Sequence, residues 1–357
     1  MNISELDPNL GITSSLKDLP GVVYLDPEEA PFKLYGVFRE GDHLTRVPTE
    51  VAKQVSPGVE GLSLDTAGGR IRFRTDSPYV AVKVIYNHIL ETMPHMAATG
   101  SKGVDIYEEK DGRPTFVNAV IPPVNVAEGY EGSRDLLGTG MHEVTLNLPL
   151  YQGIKKIYVG LDGGSRVYAP KDYSYRRPIL YYGSSITQGG CASRPGLSYQ
   201  AMLTRWLDCD HINLGFSGNA RAEVPMVDYL TTFDASVFVC DYDHNAPSAD
   251  FLKNTHKPLY LRYRERRPDT PIVFVSRPKF LLNSEELRRR EIIRAPYEDA
   301  LAAGDKRVYF IDGATLTAPG LDDEGTVDHC HPNDLGFYYM AKGMYPVLKQ
   351  ILEGEEK

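Results

Sequence analysis

The chain has 357 residues, of which 42% are hydrophobic and 24% are charged, and its formal net charge at pH 7 is −9. This length predicts about two domains, and the negative charge argues against a nucleic-acid partner. No apolar run approaches the ~18 residues that a membrane-spanning helix needs. Residues 1–8 are acidic and lack the basic segment and apolar core of a secretory signal, so a cytoplasmic location is expected unless a signal was removed.

The cysteines lie far apart in the sequence, without a Cys-x-x-Cys pair. Wide spacing of this kind predicts free thiols in a reducing compartment. Cys191 lies just past a glycine-rich turn and is expected to contribute to packing rather than to chemistry. The four are Cys191, Cys209, Cys240 and Cys330.

Residues 1–172 are predicted to form an all-β sandwich domain, jelly-roll-like, because polar and apolar side chains alternate along short segments that Gly, Pro and Asp separate. Val80, Val82 and Val84 share one face of such a segment. No long helical pattern interrupts the series, and the domain boundary is placed near residue 172, in a turn-rich stretch. The predicted strands are 33–38, 70–75, 79–86, 103–107, 141–148 and 156–161.

Residues 173–357 change period, since short apolar strands now alternate with helical patterns. This order predicts a parallel sheet covered on both faces, in a three-layer α/β/α, flavodoxin-like domain of about five strands. The predicted strands are 179–182, 211–215, 236–241, 271–276 and 307–312, and the predicted helices are 197–207, 224–230, 250–266, 284–303 and 334–352.

Three details of these helices are also predicted. Met202, Leu203, Trp206 and Leu207 fall on one apolar stripe of the first helix. Ser284 is the expected N-cap of the fourth helix, and the arginine run 288–290 on that helix is expected to be a solvated surface.

Polar side chains follow several of the predicted parallel strands. Ser185 follows the first strand, Gly218 the second, Asn245 the third, and Asp328 with His331 the fifth. Because the carboxyl ends of parallel strands meet at one edge of a sheet, these groups are expected to lie close together. Nucleophilic acyl transfer needs a hydroxyl, a base, a group that orients the base, and donors for an oxyanion, and this set could fill those roles.

The second half resembles the SGNH, or GDSL-type, serine hydrolases and esterases. Their Gly-Asp-Ser-Leu-Thr block is matched by Gly-Ser-Ser-Ile-Thr at 183–187, their Asn-x-Gly-x-x-Gly block by 213–218, and their Asp-x-x-His-Pro block by 328–332. Their Gly-x-Asn-Asp block matches only through Asn245, because Asp243 and Ala246 replace the Gly and the Asp. The first half resembles the β-sandwich that precedes the hydrolase domain in one branch of this family.

The resemblance implies a serine esterase mechanism through an acyl-enzyme. In it, Ser185 is the nucleophile, His331 the base and Asp328 the group that orients it, while the amides of Ser185 and Gly218 and the side chain of Asn245 form the oxyanion hole. It further implies a substrate with a small acyl group, expected to be an O-acetyl group on a carbohydrate. The competing hypotheses are a glycan-binding protein that has lost activity, and an arylesterase or thioesterase that uses the same site.

Further residues at this edge have open roles. His244 and Arg277 are candidates for contact with substrate, although a structural role for His244 and a loop ion pair for Arg277 fit equally well. The segment 328–331 also permits a metal-site interpretation, but adjacent side chains of an extended segment point to opposite sides. We expect no metal, no cofactor and no membrane or nucleic-acid partner, only a small-molecule or oligosaccharide ester. The loop containing Met93 and Met96 could overhang the site, and the sequence indicates no oligomeric state.

Overall fold

Antiparallel strands make up most of the first half of the chain in the computed structural model, which describes residues 21–88, 93–123, 126, 128–320 and 322–355. The strands are β1 (Val22–Leu25), β2 (Lys33–Tyr35), β3 (Phe38–Glu40), β4 (His43–Thr45), β5 (Arg70–Thr75), β6 (Tyr79–Tyr86), β7 (Val104–Lys110), β8 (Arg113–Val120), β9 (Gly129–Asp135), β10 (His142–Asn147), β11 (Ile154–Asp162) and β12 (Val167–Tyr168).

These strands form two main sheets that pack face to face. One has the order β1-β11-β6-β9 and the other β12-β5-β10-β7-β8, with β2 also paired to β5. Val80, Val82 and Val84 of β6 are buried in one cluster with Ile71 and Phe73 of β5, in the opposite sheet. The period-2 alternation of both strands places these side chains on the inner faces, so the predicted sandwich is confirmed.

Three short helices also lie in the first half, and the sequence analysis did not predict them: α1 (Thr49–Val55), α2 (Pro57–Ser63) and α3 (Ala98–Ser101). The side chain of Ser56 caps α2 by accepting the N–H of Val59, and Pro57 occupies the first helical position. Ala52 and Val59 are buried against Phe216 and Leu230 of the second half. Helices α1 and α2 therefore cover the second half rather than the sandwich.

The second half is a five-stranded parallel sheet with helices on both faces, as predicted. Its strand order is β14-β13-β15-β16-β17, the order of a doubly wound sheet. The strands are β13 (Tyr175–Gly183), β14 (Cys209–Gly215), β15 (Val237–Asp241), β16 (Ile272–Val275) and β17 (Val308–Ile311), and the helices are α4 (Ser185–Gln188), α5 (Tyr199–Leu207), α6 (Val224–Leu230), α7 (Ala249–Arg266), α8 (Ser284–Ala302) and α9 (Asp334–Glu355).

Alternate residues of β13 serve two different cores. Tyr181 packs with α5 and α9 on one face, and Tyr182 packs with α6 and α7 on the other. Both faces are buried, which explains why these strands appear in the sequence as continuous apolar runs. From β13 the chain crosses to β14 on one side, and from β14 it crosses back to β15 on the other side of β13, so β13 marks the switch point of the sheet.

Some details of the helices differ from prediction. Trp206 is 37% exposed, and its ring contacts Tyr338 and Tyr345 of α9 instead of entering the core. Asn283, not Ser284, is the N-cap of α8, because its side chain accepts the N–H of Glu286 in a capping box. None of the described helices is long and apolar enough to cross a membrane.

The predicted boundary near residue 172 falls between β12 and β13. We propose two domains divided at that point, with extensive contact between them. Leu150 and Tyr151 of the first half are buried in the same cluster as Ile186 and Phe337 of the second. Because side chains of both halves are buried in one cluster, the two halves are held tightly together.

Candidate active site

Ser185 lies directly after the switch-point strand. Strand β13 ends at Gly183, and Ser185 is the first residue of α4. The hydroxyl of Ser184 caps this helix by accepting the N–H of Ile186 at 3.2 Å. A Cβ on Gly183 would collide with the carbonyl of Asp241, so only glycine permits this turn. The turn holds the Ser185 hydroxyl at the carboxyl edge of the sheet.

His331 and Asp328 meet Ser185 from a loop that is distant in the sequence. The Ser185 Oγ lies 2.9 Å from Nε2 of His331. Nδ1 of His331 lies 2.7 Å from Oδ2 of Asp328, which fixes the tautomer with the proton on Nδ1 because a carboxylate can only accept. The other carboxylate oxygen accepts the backbone N–H groups of Cys330 and His331. The structure therefore brings the three predicted catalytic residues into one continuous hydrogen-bonded chain.

The charge of Asp328 is stabilised by this arrangement. Partial burial alone would raise the pKa of Asp328, but the hydrogen bonds from the backbone N–H and the imidazole of His331 lower it below its usual range. The carboxylate is therefore ionised at neutral pH. An ionised Asp328 can both hold the imidazole in place and stabilise a protonated ring.

The predicted oxyanion residues lie on two neighbouring loops that are bound to each other. Gly218 has a φ of +70°, which glycine adopts without strain. The side-chain amide of Asn245 donates to the carbonyl of Phe216 at 2.7 Å and retains a second N–H. The side chain of Gln188 accepts the N–H of Ser217 at 3.0 Å. The Ser185 amide lies in the first turn of α4, where N–H groups have no acceptor within the helix.

The loop that carries Asn245 is held by a buried ion cluster centred on Asp243. Nε of Arg289 lies 2.7 Å from Asp243 Oδ1, and Nε of Arg277 lies 3.2 Å from Oδ2. Arg277 also donates to Glu286 at 2.9 Å. Arg277 is thus a structural partner of this loop, and its contact with substrate stays a prediction. The prediction of a solvated arginine run was wrong for Arg289, which is buried.

His244 is next to Asn245 and lies close to the histidine loop. Its Nδ1 is 3.5 Å from the Sγ of Cys330. Burial, with the nearby charge of Arg277, lowers the pKa of His244 to about 3. The ring is therefore neutral at physiological pH, and its contact with substrate also stays a prediction.

Two first-half side chains support the site, and the sequence analysis missed both. The hydroxyl of Tyr151 donates to the carbonyl of Ser185 at 3.1 Å. The carboxylate of Asp65 accepts from Gln188 at 2.9 Å, and Gln188 in turn holds Ser217. Neither residue belongs to a motif or a periodic pattern, since each acts across the contact between the halves.

A groove of about 920 Å³ opens beside this site, between the two halves of the chain. Its lining includes Tyr151, which donates to the carbonyl of Ser185, and Ser217, the neighbour of Gly218, but not Ser185, Asp328 or His331 themselves. Its lining contains both polar and apolar residues, among them Asp65, His88, Met93, Tyr151, Ser217 and Asn219.

The loop of Met93 and Met96 lies beside the histidine. Met93 lines the groove, and the ring of His95 lies 5.7 Å from the ring of His331, measured between centroids. Cys191 is buried after the Gly189-Gly190 turn, where burial raises the pKa of its thiol to about 12. Among the described residues, the ligand atoms of His95, Cys191 and His331 all lie within 4.8 Å of one another.

Comparison with known proteins identifies the family. The profile of the GDSL-like lipase/acylhydrolase family matches residues 176–349, and the profile of the N-terminus of SGNH-hydrolase-type esterases matches residues 22–167. A crystal structure described as a GDSL-like lipase from Bacteroides ovatus is 31% identical, covers 93% of this chain and 98% of its own, and superposes with a TM-score of 0.84. The chain belongs to the GDSL-like lipase/acylhydrolase family. Membership in this family makes it an ester hydrolase.

More distant structures share the fold of this GDSL-like hydrolase. The salicylyl-acyltransferase SsfX3 from a tetracycline biosynthetic pathway is 22% identical, with a TM-score of 0.76 and coverage of 93% of this chain and 98% of its own. A family two carbohydrate esterase from Clostridium thermocellum in complex with cellohexaose is 17% identical, with a TM-score of 0.57 and coverage of 93% and 99%. No curated protein matches the chain.

Proposed function

We propose that the protein is a serine esterase that removes small acyl groups, namely O-acetyl groups, from a carbohydrate. The observation that carries the mechanism is the hydrogen-bonded chain from Ser185 Oγ through His331 to Asp328, at 2.9 and 2.7 Å. Both distances lie within the reach required for proton transfer from a nucleophile to its base.

The reaction proceeds by two displacements. Ser185 Oγ attacks the ester carbonyl carbon while His331 Nε2 takes the hydroxyl proton. The tetrahedral intermediate collapses, the bond to the leaving alcohol breaks, and His331 returns the proton to that alcohol. Water then attacks the acyl-enzyme with His331 again as base, which releases the carboxylic acid and restores Ser185.

The oxyanion is stabilised by donors that the fold holds in advance. The amides of Ser185 and Gly218 supply two N–H groups, and Asn245 supplies the third through the N–H that does not bond to Phe216. Because both loops are anchored, these donors need no reorganisation during the reaction. A donor of this kind lowers a barrier by about 3 kcal/mol.

The carbohydrate part of the proposal is supported by the groove beside Ser185. Its volume of about 920 Å³ is in the range of ligand sites. His88, Ser217 and Asn219 offer hydrogen-bonding groups that suit sugar hydroxyls. Two structures with this fold, a family two carbohydrate esterase in complex with cellohexaose and an acetyl xylan esterase, point to the same substrate class.

The test compares variants on a simple acetate ester and on acetylated sugars. Ser185→Ala and His331→Ala should each lower kcat for p-nitrophenyl acetate by at least about 10⁴-fold. His329→Asn is the matched control: His329 is an exposed residue with a φ of +62° on the same loop, and asparagine tolerates this conformation. Unchanged activity of Ser185→Ala would remove Ser185 from the mechanism.

Mass spectrometry of a panel of acetylated oligosaccharides decides the substrate class. The wild type should remove single acetyl units, and His331→Ala should remove none. A wild type that hydrolyses p-nitrophenyl acetate but leaves every acetylated sugar intact would contradict the carbohydrate assignment and keep the esterase mechanism.

A further inference from the structure

The histidine of the active site belongs to a second cluster as well. His95 lies on the first-half loop that borders the groove, Cys191 follows the Gly189-Gly190 turn, and His331 lies on the loop after β17. Their ligand atoms, two imidazole nitrogens and one sulfur, all lie within 4.8 Å of one another. We propose that a divalent cation of the zinc class binds to His95, Cys191 and His331 and inhibits the esterase.

The distances and the ligand types fit such an ion. Tetrahedral zinc, with bonds of about 2.0–2.3 Å to nitrogen and sulfur, holds its ligand atoms about 3.3–3.8 Å apart. The cluster must therefore contract by about 1 Å, and His95 is exposed, so its ring is free to make that movement. Two imidazoles and a thiolate select zinc-like cations over magnesium or calcium, which prefer oxygen. Water fills the fourth position.

The surroundings of His331 select which of its nitrogens can bind. Its Nδ1 is bonded to Asp328 at 2.7 Å, which leaves Nε2 as the ligand atom. A carboxylate behind the ring is the usual support of a metal-binding histidine, because it orients the ring and raises its basicity. The reaction therefore loses its base when the ion binds, since the same Nε2 faces Ser185 Oγ at 2.9 Å. This inhibitory consequence, unlike the binding itself, rests on the proposed function.

The binding step releases one proton. The Cys191 thiol loses its proton to solvent as the sulfur–metal bond forms, and the two imidazoles bind as neutral ligands. Nearby Cys330 is not among the three clustered residues, and its Sγ lies 3.5 Å from Nδ1 of His244 instead. Cys330 is therefore a matched control for Cys191, and His329 is one for His95.

Cobalt(II) tests the site without any reference to activity, because a thiolate ligand gives a charge-transfer absorption band. The folded wild type titrated with Co²⁺ should develop this band, and Cys330→Ser and His329→Asn should keep it. Cys191→Ser should abolish it, and His95→Ala should weaken binding by at least about tenfold. Absence of the band in the wild type, or its persistence in Cys191→Ser, would overturn the site. Circular dichroism of each variant checks that it is folded.

Zinc tests the inhibition. Zn²⁺ should inhibit hydrolysis of p-nitrophenyl acetate by the wild type, and a chelator should restore the rate. The Cys191→Ser variant should need at least about tenfold more Zn²⁺ than the wild type to reach half of its own uninhibited rate. Cobalt binding at the cluster without zinc inhibition would contradict the inhibitory role. An esterase-inactive wild type with a normal cobalt band would contradict the proposed function and leave the metal site standing.

Discussion

Ser184 explains how the active-site turn forms without the aspartate that is usual in this family. Its side chain is fully buried and caps α4 by accepting the N–H of Ile186. Serine and aspartate are about equally good helix N-caps, so serine preserves the turn while it removes a charge beside the nucleophile. Serine at position 184, in place of the family's aspartate, is therefore compatible with the same geometry.

Asp241 is a second acidic residue near the nucleophile, and it lies in a very different environment from Asp328. It ends β15 and is fully buried, with Oδ2 accepting from Thr187 and Tyr199 at 3.2 and 3.3 Å. Among the described residues, its Oδ1 has no hydrogen-bond partner. Burial raises the pKa of Asp241 to about 8, so the group is mostly protonated at neutral pH.

The raised pKa of Asp241 predicts a stability that falls as pH rises. The unfolded aspartate releases its proton near pH 3.9, whereas the folded one keeps it to about pH 8. Between these values the native state binds more protons than the unfolded state, so the free energy of unfolding decreases with pH, by up to about 1.4 kcal/mol per unit for one group. The loss is complete above pH 8.

The variant Asp241→Asn tests this, because asparagine keeps an acceptor for Thr187 and Tyr199 but cannot ionise. Urea unfolding measured at each unit from pH 5 to pH 8 should give a free energy of unfolding that falls less, or rises more, with each unit of pH than in the wild type. A contribution of the same sign as that of Asp241 should remain in the variant, since burial also raises the pKa of Asp65, to about 7. A variant with the same slope as the wild type would show that Asp241 does not cause it.

At the scale of elements, helix α8 fixes the loop of Asn245 through one buried arginine. Arg289 is 4% exposed, and it donates to the Asp243 carboxylate at 2.7 Å and to the carbonyl of Ala246 at 2.9 Å. The two contacts flank Asn245, the proposed oxyanion donor. The charge at 243, where the family pattern has glycine, is thus compensated by a partner on a distant helix.

Replacement of Arg289 with Leu should damage both stability and rate. It leaves Asp243 buried with Arg277 as its remaining charge partner, and breaking a buried pair in this way costs about 3–5 kcal/mol. A displaced Asn245 should also lower kcat toward p-nitrophenyl acetate by about 10²-fold. Urea unfolding and steady-state kinetics measure the two effects.

The neighbour Arg288 provides the control for this experiment. Its side chain is 52% exposed and pairs with Asp250 at the surface. Exposed pairs contribute at most about 1 kcal/mol, so Arg288→Leu should leave both stability and kcat nearly unchanged. Equal losses in the two variants would contradict a specific role of Arg289.

Periodicity of apolar residues shows which helices and strands have buried faces, and these elements were predicted well. Helix α6 was predicted with its bounds unchanged, 224–230, and the five parallel strands were found because they are buried on both faces. The three residues of the proposed triad were located by motif and by sheet topology. Arg289 was misjudged because a charged run looks the same whether one member faces inward or not.

Helices α1 and α2 and the supporting roles of Tyr151 and Asp65 were not predicted, and all of them depend on contacts between the two halves. Strands β1, β4, β8, β9 and β12 of the sandwich were not predicted either. Helices α1 and α2 have seven residues each, too few for a clear helical period, and their apolar side chains pack on the other half. Tyr151 and Asp65 reach the active site from outside the hydrolase sequence. A local pattern contains no information about such distant partners.

At the scale of the molecule, Arg46 joins the two halves at the carboxyl end of β14. It is 2% exposed, and its guanidinium donates to the carbonyls of Asn213 at 3.0 Å and Gly215 at 2.7 Å, at the end of β14. It also donates to the backbone carbonyls of Asp65 and Leu62 in its own half. A first-half side chain thus satisfies the carbonyls of the strand that leads into the Gly218 loop.

We therefore expect the two halves to unfold together, and we expect Arg46 to be essential to the contact between them. Replacement with Met removes every one of those donors and leaves buried carbonyls unpaired, at about 1–3 kcal/mol for each. Arg46→Met should lower the free energy of unfolding by at least about 3 kcal/mol.

Arg166 is the control, because its side chain is 68% exposed and bonds within the first half. Arg166→Met should change the free energy of unfolding by less than about 0.5 kcal/mol.

The chain contains a single tryptophan, Trp206 on α5, so its fluorescence follows the hydrolase half alone. Far-ultraviolet circular dichroism follows the strands and helices of both halves. In urea the two signals of the wild type should give one coincident transition, because side chains of both halves share the same cores. Two separated transitions in the wild type would show that the halves unfold independently, and Arg46 would then stabilise a contact rather than a common fold.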